Sequence, residues 1–302
     1  MYRSSTSHSR ALHKEGTKMY ITFTLKETDK GIIRGYHWPL QGARRVACIV
    51  HGIGEYGGRY DRVASSFLKR GIASISMDLR GHGESRNPKG HCAPREAVLE
   101  DISALLLYAR KQYPDSEITL YGHSMGGNLV LDYRSRGAFN DMPVKYLITA
   151  PWVRLVKPIT GPLYAIAKLM SRIAPSATIG SNVDEALLGN PASVQPYHDN
   201  PMVHNRISFQ CAIDGFETGK ALESGTLEDN GAAAQIPTML MHGTDDGICS
   251  IEGTRKVYHN LKRKGCNVQM IEWPGFLHEI HNGNAVSRGD EVIDSMIQYI
   301  LG

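Results

Sequence analysis

Apolar positions along the chain alternate between two periods. Tyr20–Leu25 has the period of two expected of a strand, and Gly31–His37 is a second strand after the Asp29-Lys30-Gly31 turn. Arg45–Val50 (RVACIV) is a short continuous apolar run of the buried-strand type. From Arg59 to Arg70 the period lengthens: Tyr60, Val63, Ala64, Phe67 and Leu68 line one helical face, and Gly71 ends it. Ile72–Asp78 returns to strand, and a long helix runs from Pro94 to just before Pro114 with Val98, Ile102, Leu105 and Leu106 on one side. The rhythm continues through strand Ile118–Tyr121, helix Met125–Arg136 and strand Val144–Ala150. It resumes with strand Ile236–Met241, helix Ile251–Lys264, strand Val268–Trp273 and helix Asp290–Leu301. Such alternation predicts an α/β protein, a mostly parallel sheet with helices on both faces.

One stretch departs from the rhythm. Pro151–Gln235 is far longer than a crossover needs. It carries an apolar stripe, Ile159, Leu163, Ile166, Met170 and Ile173, and is punctuated by Pro175 and Pro191. It reads as a helical cap inserted into the sheet protein. The expected division is a polar leader over 1–18, a core over 19–150 and 236–302, and the cap over 151–235. The stripe is expected to pack on the core or over a pocket. Its alternative role is transient contact with a membrane, given Lys157, Lys168 and Arg172 nearby.

Composition narrows the function classes. With 41% hydrophobic and 21% charged residues the chain is of globular type. Most of its +4 net charge lies in the first twenty residues, on Arg3, Arg10, Lys14 and Lys18 against Glu15, so the body lacks the basic excess of a nucleic-acid binder. No run is long enough for a membrane span, and the leader lacks the apolar core of a secretory signal. Five scattered cysteines, Cys48, Cys92, Cys211, Cys249 and Cys266, form no C-x-x-C pair and suit a reducing cytoplasm.

The chemistry centres on Gly122-His123-Ser124-Met125-Gly126. This G-x-S-x-G follows a strand and opens a helix, the setting of a nucleophile elbow. So sharp a turn brings the flanking residues together, which is why Gly122 and Gly126 carry no side chain. A nucleophilic serine needs a base and a residue that orients the base, in the chain order serine, acid, histidine. The strand at Ile236–Met241 is followed by His242-Gly243-Thr244-Asp245-Asp246. The strand at Val268–Trp273 is followed by Pro274-Gly275-Phe276-Leu277-His278. Both loops fall on the sheet edge that bears Ser124. By spacing alone Asp245 competes with Asp246, and His281 with His278. His278-Glu279-Ile280-His281 is one residue short of H-E-x-x-H, so no zinc site is read there, and no metal or cofactor is expected. The oxyanion hole is expected from the backbone N–H groups of Met125 and of Ile53, in the loop His51-Gly52-Ile53-Gly54-Glu55.

On these residues the chain resembles the monoacylglycerol lipase and lysophospholipase branch of the α/β-hydrolase superfamily. The likeness runs over His51–Glu55 through Gly58-Arg59-Tyr60, Asp78-Leu79-Arg80-Gly81-His82-Gly83-Glu84-Ser85, Gly122–Gly127, Ala150-Pro151, Gly243–Cys249 and Gly275–His281. It implies an α/β-hydrolase fold with an eight-stranded sheet, and a triad of Ser124, His278 and Asp246. It also implies that Glu55, Arg59 and His281 surround the polar end of the substrate; for Glu55 and Arg59 the alternative is a structural ion pair behind the oxyanion loop. Cys249 is expected beside the site as a thiol open to alkylation. The implied activity is cleavage of monoacylglycerol-type lipid esters by a cytoplasmic enzyme, peripheral to membrane if the cap docks there. Alternatives are a lysophospholipase, a broad short- to medium-chain esterase, a ligand receptor that retains the triad, and a prolyl-type aminopeptidase. The last would use Asp184, Glu185, Asp199 or Asp214 to hold a substrate amine.

Overall fold

The computed structural model describes residues 19–28, 31–194, 200–227 and 232–302; the 1–18 leader, the Asp29-Lys30 turn and Asp199 lie outside them. The first strands are β1 (Ile21–Thr28), β2 (Gly31–Trp38), β3 (Arg45–Val50) and β4 (Ile72–Met77), with α1 (Asp61–Lys69) before β4. Then come α2 (Arg95–Gln112), β5 (Glu117–His123), α3 (Met125–Arg136) and β6 (Lys145–Thr149). After the long intervening segment the sheet resumes with β9 (Thr238–Gly243), α6 (Ile251–Arg263), β10 (Val268–Trp273) and α7 (Asp290–Leu301).

These strands form one eight-stranded sheet in the order β1-β2-β4-β3-β5-β6-β9-β10. The β1–β2 and β2–β4 pairs are antiparallel, and all the others are parallel. The central strands are apolar on both faces because both are covered. In β3, Val46, Cys48 and Val50 join the core under α2 and α3, while Ala47 and Ile49 join the core under α1 and α7.

Two expected boundaries move for a physical reason. The strand expected at Ile236 begins at Thr238, after Pro237, which has no N–H to give a ladder. The helix expected at Arg59 begins at Asp61, because Gly57–Tyr60 first make a 3-10 turn.

Between β6 and β9 lie α4 (Gly161–Ile173), β7 (Thr178–Gly180), β8 (Arg206–Ser208) and α5 (Phe209–Ser224). This segment is not purely helical, since β7 and β8 pair antiparallel into a small sheet of their own. Helix α5 opens on Ser208, whose Oγ accepts from the Cys211 N–H, and ends on left-handed Gly225. It lies close on the core through Gly215 and Gly219, where a Cβ would come within 2.6 Å of the Trp152 ring and 2.2 Å of the Val153 carbonyl.

The apolar stripe packs inward only in part: Ile159 and Met170 are half-buried. Leu163, Ile166 and Ile173 are 53%, 57% and 68% exposed, with Leu169 beside them at 56%. Helix α4 instead turns its Ala167 and Tyr164 side to α5: Ala167 is buried, Tyr164 sits edge-on to Phe216, and Lys168 pairs with Glu217 at 2.6 Å. No helix among the described residues is long and apolar enough to cross a membrane.

Candidate active site

Strand β5 ends at His123 and α3 begins at Met125, leaving Ser124 alone at the turn with φ 55° and ψ −118°. The elbow is as tight as the glycines suggest. A Cβ on Gly122 would stand 2.4 Å from the Gly126 carbonyl, and one on Gly126 would stand 2.1 Å from that of Val50. The strained serine is pinned from both sides, its N–H donating to the Thr149 carbonyl at 3.1 Å and its carbonyl accepting from Asn128 and Trp152.

Two loops meet it. His278 follows β10, and its Nε2 lies 2.9 Å from Ser124 Oγ. Asp246 follows β9, and its Oδ2 lies 2.7 Å from His278 Nδ1. With a carboxylate at Nδ1, that nitrogen carries the proton, so Nε2 is the acceptor facing the serine hydroxyl. The competing residues point elsewhere. Asp245 is exposed and accepts from its neighbour Thr244. His281 stacks on Tyr60 at 5.5 Å and sits edge-on to His123 at 5.1 Å.

Electrostatics fit this placement. Burial alone would push the Asp246 carboxyl up; the His278 imidazole and hydrogen bonds from His242 and His278 outweigh it and hold the group well below the ordinary range. The Asp246 Oδ1 also accepts from the Ile248 and Cys249 N–H groups. For His278, burial works to lower the pKa, but Asp246, then Glu279 and Glu55, favour the imidazolium, and the net shift is upward.

Next to His278 in the chain, Glu279 belongs to a buried ionic cluster. The Arg59 guanidinium grips Glu279 with two hydrogen bonds, 2.5 and 3.1 Å, and stands 3.6 Å from Glu55. Asn282 donates to Glu279 as well, at 2.6 Å. The main ion pair of Arg59 is thus with Glu279, not with Glu55. Breaking one partner of such a buried pair typically costs about 3–5 kcal/mol. Burial tends to raise the Glu279 pKa, but Arg59 outweighs it and keeps that carboxylate ionised. Glu55, with only a distant share of Arg59, is pushed up to about 7 by burial, with Glu279 adding to the rise. Burial also drives His281 down to about 3, so it stands neutral. Glu55, His123 and Glu279 bring ligand-type atoms within 4.8 Å of one another; the guanidinium already supplies a cation there.

The sequence pattern alone gives Glu279, Thr149 and His242 no role. Glu279 follows His278 directly, yet its partner is 220 residues away in the chain. Cys249 does sit against Ser124, but it is 1% exposed, and burial together with Asp246 raises its thiol well above the usual value. A raised pKa disfavours the thiolate form. Asp184 is an exposed cap for the Ala186 N–H, Glu185 is half-buried in the same 3-10 turn, and burial raises half-buried Asp214 to about 6.

The His51–Glu55 loop lies directly against the serine. A Cβ on Gly52 would stand 3.0 Å from Ser124 Cβ and 2.9 Å from Glu55 Oε1. Ser124, Asp246 and His278 are all buried, under loops that the segment between β6 and β9 holds down. The His278 N–H donates to Leu187, and the Glu279 N–H to Leu188.

Sheet order, elbow and the two loops at the carboxyl edge define an α/β-hydrolase. The family described as serine aminopeptidase, S33, matches residues 41–284, and the chain belongs to that family. It is 28% identical over 242 residues to a monoacylglycerol lipase of Mycolicibacterium smegmatis, covering 79% of this chain and 82% of that protein. It is 30% identical over 235 residues to an uncharacterized abhydrolase domain-containing protein of Dictyostelium discoideum; this covers 78% of this chain but only 24% of that larger protein. Among solved structures, the monoacylglycerol lipase of Paleococcus ferrophilus superposes with a TM-score of 0.73 at 26% identity, covering 86% of this chain and 95% of the other. The chain is thus an α/β-hydrolase of the monoacylglycerol lipase-like type.

Proposed function

We propose that the protein is a carboxylic ester hydrolase that cleaves monoacylglycerol-type lipid esters through an acyl-enzyme on Ser124. The observation that carries this reading is the hydrogen-bonded line from Ser124 Oγ through His278 to Asp246 at the end of a strained elbow. Similarity to monoacylglycerol lipases supports the substrate class.

Ser124 Oγ attacks the ester carbonyl as His278 Nε2 takes its proton, and His278 returns that proton to the departing alcohol. Asp246 fixes the imidazole tautomer and stabilises the imidazolium. The N–H groups of Ile53 and Met125 receive the oxyanion; one such donor is worth about 2.7–4 kcal/mol in the transition state. Water then enters by the same route and releases the acid. Glu55 and His281 face the polar end of the substrate. His281 Nδ1 has no hydrogen-bond partner among the described residues, which leaves it for a glycerol hydroxyl. Arg59, committed to Glu279, braces that wall.

Residues 151–235 serve as a lid. With Ser124 5% exposed, substrate entry requires the Leu187–Leu188 stretch to lift from the His278 loop. The exposed Leu163, Ile166, Leu169 and Ile173 give the lid an apolar face for a membrane that holds the substrate. The five free, buried cysteines are compatible with a cytoplasmic setting.

Two outcomes are expected. On a panel of mono-, di- and triacylglycerols, lysophospholipids, short p-nitrophenyl esters and aminoacyl amides, monoacylglycerols give the highest kcat/KM. Preference for aminoacyl amides over every ester would overturn the substrate class. The second concerns pH. His278 must be neutral to act as base, and its pKa is raised above 6.5. Activity is therefore present above that raised pKa and lost as pH falls through it. The acid limb of kcat/KM has its midpoint above 6.5; a midpoint below that value would contradict the assigned environment.

A further inference from the structure

The carboxylate of Asp246 serves two imidazoles, not one. His242 Nε2 stands 3.0 Å from the same Oδ2 that receives His278 Nδ1 at 2.7 Å. His242 is the next-to-last residue of β9 and is fully buried. Its tautomer follows from its partners. Among the described residues Nε2 faces two acceptors, Asp246 Oδ2 and the Cys249 carbonyl at 3.1 Å, so Nε2 carries the hydrogen. Nδ1 is then an acceptor, and the Thr254 hydroxyl on α6, itself fully buried, donates to it at 2.8 Å. A continuous line runs from Thr254 through His242, Asp246 and His278 to Ser124.

We infer that His242 is a positioning residue of this active site: locked between Thr254 and Asp246, it holds the carboxylate oxygen that orients His278. The inference rests on the Ser124–His278–Asp246 reading above. Two physical consequences follow. With Oδ1 tied to the Ile248 and Cys249 N–H groups and Oδ2 tied to His242, the carboxyl group cannot rotate away from His278 when the substrate arrives. Sharing Oδ2 between two donors also divides its negative charge, so the His278 imidazolium is stabilised less than by an unshared carboxylate.

The surroundings allow this role. Glu272 of β10 is registered beside His242, but its carboxylate is taken by Arg255 at 2.6 and 2.7 Å. His278 faces Asp246, Glu279 and Glu55 among acids. Its nearby histidines are His123 and His281, both shifted down by burial.

The test is a pH–rate profile of the full chain carrying His242→Leu, His242→Gln or Thr254→Val, with thermal unfolding measured alongside. His242→Leu removes the donor. The plateau kcat falls on the order of tenfold, the low end of what removing the hydrogen-bond partner of a metal-ligating histidine costs. The acid limb of kcat/KM moves to higher pH by about half a unit or more, because Oδ2 then serves His278 alone. His242→Gln restores an N–H donor at the Nε2 position and recovers most of the rate with the limb near its original place. Thr254→Val moves both quantities in the same direction as His242→Leu but by less, and carries the test if the leucine variant does not fold. The inference is overturned if the variants keep the wild-type limb and rate. It is equally overturned if the leucine and glutamine variants lose rate alike with the limb unmoved, since packing alone would then explain the loss. Ser124→Ala separates the two layers: it tests the triad itself and is indifferent to His242.

Discussion

Ser124→Ala is expected to lower kcat for p-nitrophenyl esters by about a million-fold, while the unfolding midpoint stays within a few degrees of the parent. The large loss follows from the role of Oγ, which is both nucleophile and proton donor to His278. The small structural effect follows from what remains. The alanine keeps the Cβ, the N–H bond to Thr149 and the carbonyl bonds to Asn128 and Trp152 that hold the elbow. On the proposed mechanism the residual rate reflects the Ile53 and Met125 N–H groups and binding alone. Steady-state kinetics with circular dichroism checks both halves. A variant retaining a tenth of the activity would remove Ser124 from the chemistry.

Asp246→Asn is expected to lower kcat by about 10⁴ with little change in KM. The surroundings dictate how the asparagine sits. The Oδ1 position accepts from two backbone N–H groups, those of Ile248 and Cys249, so the amide oxygen must occupy it. The amide nitrogen is then forced onto the Oδ2 position, where it faces His278 Nδ1 and His242 Nε2, both of which carry hydrogen. His278 can relieve the clash only by moving its proton to Nε2, and in that tautomer it cannot accept from Ser124. The variant should bind substrate and fail to turn it over. A loss smaller than tenfold would mean that Asp246 does not set the tautomer.

How much of this was legible in the chain can be argued residue by residue. Ser124 was, because a strand running into a helix through G-x-S-x-G has few other uses. Asp246 and His278 were legible by spacing only to within a near neighbour, since a loop after a strand does not reveal which residue turns inward. In three dimensions Asp246 is buried and Asp245 is exposed. Glu279 and His242 were not legible. Each is an ordinary-looking residue whose meaning comes from a partner brought by the fold, Arg59 for one and the shared Asp246 oxygen for the other. Helix α5 was hidden by Gly215 and Gly219, which weaken helix propensity but let the helix approach Trp152 and Val153. The α4 stripe shows the limit of periodicity. It groups Leu163, Ile166 and Ile173 on one face but carries no information about what that face meets, and here those three side chains stay largely exposed.

On the proposed mechanism, ester cleavage passes through an acyl group on Ser124. The most direct measurement is the mass of the protein quenched in acid within seconds of mixing with a p-nitrophenyl ester of a medium-chain acid, followed by peptide mapping. The account predicts one added acyl group per chain, on the peptide bearing Ser124, and none in Ser124→Ala. Turnover without any acylated protein, or an acyl group on a different side chain, would contradict it.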